Sequence, residues 1–512
     1  MKESHQEITN PDLDITIIGA GMAGLACALA LSRANPKPRK IRFIDRGKED
    51  DDGIPIMCKG CAGGVLAGNI RHLQQEYDDE IKPITHIDEA TGAIRVSTVA
   101  GQKAEEGRIL SPGQVDRLTI HMPDADPADD TTVQLPIHID VVSRGRGPRL
   151  AKGFSQFQLG LNRYLWELLL RRMNIERIVD TVDQINTSEK QPVTIHTKGG
   201  QEFTSDLVIL ASGASRATSA ISIDGKPVTM ETPTLNAHLV EMGIPDGEET
   251  DKLYGVNRNV AHVVLAAEGD IEYGFFLPQT ILVPTDDQGT IINRTLVTFA
   301  AFARQGHTIN HDSVAEFLAR TNVDFFPAAD LSETQQLGRL CACNALIPRG
   351  PVPLEILQYL ARNGILVIGD AAGILKLMKN GIGTGIELGE EAGRLLVDKG
   401  VSPVSLQEII TELYQLNVPD GINYGRPLLD MVTSMYQNPI LRYVLNKTLK
   451  QERYLPGFMQ NISDAIARRI LDAIAKVATG ADTYQDVVEG LTSGKEGLLI
   501  KIACALLGFP LP

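Results

Sequence analysis

Ile15-Thr16-Ile17-Ile18-Gly19-Ala20-Gly21-Met22-Ala23-Gly24-Leu25 is the stretch on which the reading of this 512-residue chain turns. A short apolar run meets glycines at once, which is the pattern of a buried strand. Leu25 to Arg33 continues as an Ala/Leu-rich helix, and Ile41-Arg42-Phe43-Ile44-Asp45 follows as a second strand. Strand, glycine turn, helix and strand within about 30 residues make a βαβ unit. Gly19-Ala20-Gly21-Met22-Ala23-Gly24 fits G-x-G-x-x-G in the context that gives the motif its mechanics. Gly19 permits the tight turn, Gly21 lets backbone N–H groups approach a pyrophosphate, and Gly24 lets the helix pack closely on the sheet. The helix N-terminus then stabilises the anion. Asp45, 21 residues after Gly24, closes the second strand, where a carboxylate can accept hydrogen bonds from ribose hydroxyls and disfavours a 2′-phosphate.

Composition narrows the classes around that unit. Apolar residues make up 43% and charged residues 22%, which places the chain among globular proteins and excludes collagen-like or disordered ones. No apolar run reaches the length of a membrane-spanning helix. Met1-Lys2-Glu3-Ser4-His5-Gln6-Glu7 lacks the apolar core of a signal peptide, so a cytoplasmic location is expected. A net charge of −15 argues against a nucleic-acid partner. Six cysteines are too sparse for a disulfide scaffold, although four of them form tight pairs, Cys58/Cys61 and Cys341/Cys343.

Two later segments extend the fingerprint. Gly364-Ile365-Leu366-Val367-Ile368-Gly369-Asp370-Ala371-Ala372-Gly373 is a strand ending in G-D-A-A-G, and Asp206-Leu207-Val208-Ile209-Leu210-Ala211-Ser212-Gly213 fits D-x-V-I-x-A-x-G. The three stretches, in this order, resemble the FAD motifs of p-hydroxybenzoate-hydroxylase-like flavoproteins. The resemblance implies FAD rather than NAD, with Asp370 on the ribityl chain. It makes Gly19, Gly21, Ala23, Gly24, Asp45, Arg46, Gly63, Gly64, Gly213, Asp370, Gly373 and Gly383 the cofactor contacts. The chain departs from the family beyond Asp370, where Lys376 and Leu377 replace the usual Asn-Pro and the glycines fall at Gly381, Gly383 and Gly385. It departs again at Gly153-Phe154-Ser155-Gln156-Phe157-Gln158, where the family's Arg is missing and Arg149 is the candidate substitute.

Within that fold, Lys59-Gly60-Cys61-Ala62-Gly63-Gly64-Val65, Tyr273-Gly274-Phe275-Phe276-Leu277-Pro278 and Leu346-Ile347-Pro348-Arg349-Gly350-Pro351-Val352-Pro353 are similar to segments of the geranylgeranyl reductase family. The resemblance runs from about residue 14 to 395. It implies saturation of isoprenoid C=C bonds in a prenyl lipid or prenylated quinone by hydride from reduced flavin, with Phe275, Phe276 and Pro278 lining the substrate channel. The same residues read without it are alternating core positions on a strand. The protein's share of such chemistry is placement of the cofactor and a dry, oriented site. NADPH or a ferredoxin-like donor is the expected electron source, since no second nucleotide fingerprint occurs.

The resemblance makes Cys61, Cys341, Cys343 and Tyr273 the catalytic candidates, with a Cys61 contact to Cys341 or Cys343 serving as a redox disulfide or a proton-donating thiol. A rival reading takes all four paired cysteines as thiolate ligands of Zn²⁺ or an iron–sulfur cluster. A third takes them as buried and inert. Cys27 reads as core, and His262, inside Val260-Ala261-His262-Val263-Val264, as a core or wall histidine.

The expected architecture is α/β: a Rossmann-like FAD-binding domain (1–75, 151–220 and 339–400), a mixed β-sheet substrate domain (221–338), a peripheral insertion (76–150) and a helical C-terminal region (401–512). Leu498 to Phe509 is the most apolar stretch. With Arg442, Lys447, Lys450, Arg453, Arg468 and Arg469 it is a candidate for peripheral membrane contact, against a plain solvated or packed helical face. The alternatives to an isoprenoid reductase are an FAD-dependent aromatic hydroxylase, an electron-transfer flavoprotein:quinone-type oxidoreductase with a cysteine-bound cluster, and a non-enzymatic flavin binder.

Overall fold

A computed structural model describes residues 13–34, 38, 40–49, 55–56, 62–65, 67–77, 86–87, 94–95, 113–123, 131–143, 160–188, 192–214, 220–231, 234–243, 260–266, 268–284, 291–304, 306–320, 339–374, 381–439, 442–443, 446–447, 464–466, 468–473, 476–477 and 483–506. Its frame is a parallel sheet of β1 (Asp14–Ile18), β2 (Lys40–Asp45), β10 (Ile175–Val179), β14 (Leu207–Leu210) and β22 (Ile365–Val367), ordered β10-β2-β1-β14-β22. Every neighbouring pair is parallel. Strands buried on both faces read as unbroken apolar runs; accordingly Ile15, Ile17, Phe43 and all of Leu207–Leu210 are at most 1% exposed. The chain passes from β1 to β2 on one side, and β14 flanks β1 on the other. The order therefore reverses at β1, and a crevice opens at its carboxyl end.

The helices are α1 (Met22–Leu31), α2 (Ala67–Tyr77), α3 (Leu161–Arg172), α4 (His311–Arg320), α5 (Leu354–Arg362), α6 (Gly381–Lys399), α7 (Pro403–Asp420), α8 (Arg426–Gln437), α9 (Tyr484–Thr492) and α10 (Gly494–Leu506). Every residue of α1 is buried, as suits a helix that is apolar all round. It lies between the parallel sheet and α6. A five-stranded sheet of β13 (Glu202–Ser205), β12 (Val193–Thr197), β11 (Val182–Thr187), β15 (Ile221–Ile223) and β16 (Lys226–Val228) flanks this body. Two short ribbons complete the strands, β3 (Lys48–Glu49) with β4 (Pro55–Ile56) and β6 (His86–Ile87) with β7 (Ile94–Arg95).

The second large sheet has eight strands, β21 (Arg339–Pro348), β17 (Thr234–Gly243), β20 (Ile291–Ala303), β19 (Ile271–Pro284), β18 (Val260–Leu265), β8 (Gly113–Met122), β9 (Thr131–Ser143) and β5 (Ala62–Val65), in that order. Side chains alternate across it. One face packs Val240, Phe276 and Phe299 against Val314 and Phe317 of α4. The other face carries Leu235, Ala237 and Phe302, with Leu239, Tyr273 and Phe275 only half-buried.

Several boundaries differ from the sequence reading. α1 starts at Met22 rather than Leu25, directly after Gly21. α6 starts at Gly381, so Gly381, Gly383 and Gly385 are helical. The stretch 76–150 is not merely peripheral, because β8 and β9 stand inside the eight-stranded sheet. The bulge between Val115 and Arg117 explains why β8 hides from a period-two reading: its buried apolar positions run 115, 118, 120, 122. β21 pairs with β17, so residues 339–348 belong to this sheet and not to the cofactor body.

In the C-terminal region α7 passes through a π-turn at Gly421–Gly425, with Pro419 inside the helix, into α8. Asp420 caps α9 by accepting from the Tyr484 N–H (2.9 Å) and the Gln485 N–H (2.8 Å). Arg442 is buried with its guanidinium over the Tyr436 ring, and Arg469 donates to the carbonyls of Gly490 and Ser493. These two cations thus serve internal contacts. Among the described residues no helix is long and apolar enough to cross a membrane.

Candidate active site

The β1–α1 turn is fixed by its glycines. Gly19 has φ +96°, and a methyl there would lie 2.5 Å from the Ala211 carbonyl oxygen and 2.8 Å from Ser212 Cα. At Gly24 a methyl would overlap the Gly19 carbonyl and stand 3.2 Å from Ile17 Cγ2. Among the described residues nothing lies within 4 Å of where a Cβ on Gly21 would be. The roles read from the motif are thus separated in space: two glycines serve the fold and one meets no described residue. α1 has no side-chain cap and no acid in its first turn, so its unfilled N–H groups are left for an anion.

Asp45 stands beside this turn, 5% exposed. Its Oδ2 accepts from the Ala20 N–H at 3.1 Å and its Oδ1 from the Gly47 N–H at 2.6 Å. A carboxylate has about four lone-pair sites, so among the described residues two remain. Arg46 next to it is exposed. Asn162, at the start of α3, donates to the Ala20 carbonyl at 3.2 Å and holds the turn from the opposite side. Sequence reasoning missed this residue; a polar Asn buried near the head of an apolar helix was the available signal.

The other two motifs arrive at the same place. Ala211 N–H donates to the Ile18 carbonyl and Ile368 N–H to the Leu210 carbonyl, which aligns the strand ends. Gly213 has φ +70°, and among the described residues nothing lies within 4 Å of a Cβ built on it. Gly369 has φ +63°, and a methyl there would be 2.9 Å from Ala23 Cβ. Asp370 follows in a short 3₁₀ turn and is half-buried. Gly373 has φ +65° and lies against the Gly350–Pro351 backbone, with Pro351 Cα 2.9 Å from where its Cβ would be. Ala23 is the meeting point, since Gly385 of α6 also approaches it, 3.7 Å from its N to the built Cβ. Gly383 is buried within the first turns of α6.

The substrate-side candidates divide by strand alternation. Tyr273 and Phe275 share the half-buried face: the Tyr273 ring stacks on Phe302 at 4.6 Å and Phe275 lies 5.7 Å from it. Phe276 points the other way, its ring tilted against Phe299 at 4.3 Å under α4 and 1% exposed, so it belongs to the core and not to a channel wall. Pro278 has the same parity as Phe276 and is buried. Gly63 and Gly64 sit on β5, the edge strand, and a Cβ on Gly64 would be 4.0 Å from Leu277 Cδ2. Burial and the charge of Glu272 hold the Tyr273 phenol protonated well above its ordinary range, opposed by Arg349.

Register places Cys343 opposite Leu239, hence on the Tyr273–Phe275 face, and pairs the Cys341 backbone with Glu241. Cys343 is exposed. Cys58, Cys61, Arg149, Lys376 and Leu377 lie outside the described residues, as does the Cys341 side chain. Among the described residues no group of three or more His, Cys, Asp or Glu side chains is placed to hold a metal. Cys27 is core, its thiol pushed up to about 12 by burial. His262 is also buried, and its Nδ1 lies 3.0 Å from His121 Nε2.

No family model matches the sequence, and no curated protein matches it either. Solved structures do. CtdE, in complex with FAD and a substrate, superimposes with a TM-score of 0.51 at 14% identity, covering 91% of this chain and 100% of that one. FqzB gives 0.50 at 14% identity, covering 92% and 95%. HpxO from Klebsiella pneumoniae, complexed with FAD, gives 0.49 at 14% identity, covering 90% and 98%. The likeness to CtdE, which spans 91% of this chain, shows the fold of an FAD-binding flavoprotein.

Proposed function

We propose that the protein is an FAD-dependent oxidoreductase of the hydroxylase type, acting on an apolar, ring-bearing small molecule. The observation that carries the cofactor is the convergence of the Gly19–Gly24 turn, Ala211–Gly213 and Gly369–Gly373 on one strand-end crevice, with no described residue within 4 Å of a Cβ built on Gly21. There the α1 N-terminus would hold the pyrophosphate, Asp45 the adenosine ribose, and Asp370 the ribityl chain. Bound FAD supplies two-electron chemistry, accepting hydride and, once reduced, passing electrons to O₂ or to an unsaturated substrate. The chain's own residues bind and orient: Tyr273, Phe275 and Phe302 offer stacked aromatic surface to a flat ring, and Tyr273 keeps its proton as a hydrogen-bond donor. CtdE, captured with FAD and a substrate together, supports a substrate lying in the same body as the cofactor.

The isoprenoid reductase is the second reading, favoured by the Lys59–Val65 and Tyr273–Pro278 segments. One experiment separates the two. FAD-loaded protein is given NADPH or dithionite, then either aromatic compounds in air or geranylgeranyl diphosphate without oxygen. Substrate-dependent O₂ uptake with a mass gain of one oxygen supports the hydroxylase. Anaerobic flavin reoxidation with gain of two hydrogens supports the reductase. Protein that holds no FAD sinks both.

A further inference from the structure

Arg349 and Glu272 form an ion pair that neither motif reading uses. Arg349 Nη2 donates to Glu272 Oε2 at 2.6 Å, and the two side chains are 13% and 10% exposed. The partners come from two separate strands of the eight-stranded sheet, β19 and the end of β21. Glu272 is the second residue of β19, one residue before Tyr273. Arg349 follows the last residue of β21 and begins the short span Arg349-Gly350-Pro351-Val352, which lies along the Gly369–Gly373 turn: Val352 N–H donates to the Ala372 carbonyl at 2.9 Å, and Pro351 Cα would stand 2.9 Å from a Cβ on Gly373. A guanidinium holding a carboxylate at this depth is a directional contact, poorly screened by water.

We propose that the Glu272–Arg349 pair is the tie that sets the substrate-side sheet against the cofactor turn, with Arg349 acting as a positioning residue. Through it the place of Tyr273 and Phe275 is fixed relative to whatever the Gly369–Gly373 turn holds. The pair rests on the FAD reading only for the identity of that occupant; the mechanical link is a property of the polypeptide alone.

The test therefore has two arms. In the first, hydrogen exchange is followed on protein stripped of cofactor. Glu272→Gln, a change made on the sheet, should speed exchange at Ala372 and Gly373 about tenfold, and Arg349→Met should do the same. Reversing the pair with Glu272→Arg plus Arg349→Glu should restore much of the protection. Unchanged exchange at the turn in both single variants overturns the tie, even if the melting temperature drops. In the second arm, FAD-loaded variants are compared by visible circular dichroism of the flavin and by iodide quenching. Altered flavin signals in Arg349→Met, partly recovered in Arg349→Lys, support the positioning role, and unaltered signals overturn it. Failure of the wild-type chain to hold FAD ends the functional reading but leaves the exchange arm decisive for the tie.

Discussion

Gly389 of α6 lies so close to Ala23 of α1 that a methyl group on it would fall 2.9 Å from the Ala23 Cα and carbonyl carbon. One turn on, a methyl at Gly393 would meet the Cys27 carbonyl oxygen at 2.5 Å and Ala30 Cβ at 2.6 Å. The two helices touch backbone to backbone, and Ala23 is also where the Gly369 turn arrives. Gly389→Ala should therefore push α6 off α1 and cost about 1–3 kcal/mol, as overpacking does. Gly381→Ala, in the same helix with no described residue within 4 Å of the added methyl, should be neutral or stabilising by under about 1 kcal/mol. Urea titration of the pair measures both; equal effects would refute the close-packing account.

The same logic separates fold from ligand at the fingerprint. Gly21 has φ −77° and no described residue within 4 Å of a Cβ built on it, so Gly21→Ala should keep the wild-type melting temperature yet weaken FAD binding by about tenfold or more, roughly 1.4 kcal/mol. Gly19→Ala combines φ +96° with a 2.5 Å clash and should lose stability first. Flavin fluorescence titration beside thermal melts distinguishes them. A Gly21→Ala protein that binds FAD as the wild type does would remove the pyrophosphate from this turn.

These glycines also show what the sequence could and could not reveal. The βαβ unit was legible because its residues answer to neighbours a few positions away. The same holds for β14 and for the strand before Asp370. The Gly385/Gly389/Gly393 spacing was equally visible, but its meaning depends on α1, more than 350 positions earlier in the chain. Phe276 was assigned to the channel with Phe275 although adjacent strand residues face opposite ways; the motif gave their identity and alternation gave their sides. β8 was hidden by its bulge. Asn162, and the pairing of Glu272 with Arg349, depend on contacts between distant segments that no local pattern encodes.

His121 and His262 give the chain an acid limb. Burial lowers the His121 imidazole from 6.5 to about 4, and burial together with the neighbouring His121 lowers His262 to about 3. The unfolded chain binds protons on both near pH 6.5, while the folded one does not. Stability is thus fully present above that pH and falls as the pH drops toward 4. Replacing both with Gln should flatten this limb, reducing the loss between pH 6.5 and 4 by about 1–3 kcal/mol. Denaturant melts across that range check it, and an unchanged slope would show that other groups carry the acid response.

Tyr436 anchors the C-terminal helices to the substrate-side sheet. Its hydroxyl donates to the Pro123 carbonyl just beyond β8. Its ring is 2% exposed in a cluster with Val115, Leu118, Ile120 and Leu277. Leu277 is the β19 residue that approaches Gly64, so this anchor bears on the strand that carries Tyr273 and Phe275. Tyr436→Phe removes one hydrogen bond and should cost about 1 kcal/mol. Tyr436→Ala also empties an aromatic site and should cost about 3–5 kcal/mol. If α8 only shields the sheet, both variants should lose stability while FAD affinity stays within about twofold. Loss of FAD in Tyr436→Phe would instead place the helix in the cofactor's support, and flavin titration of that variant decides between them.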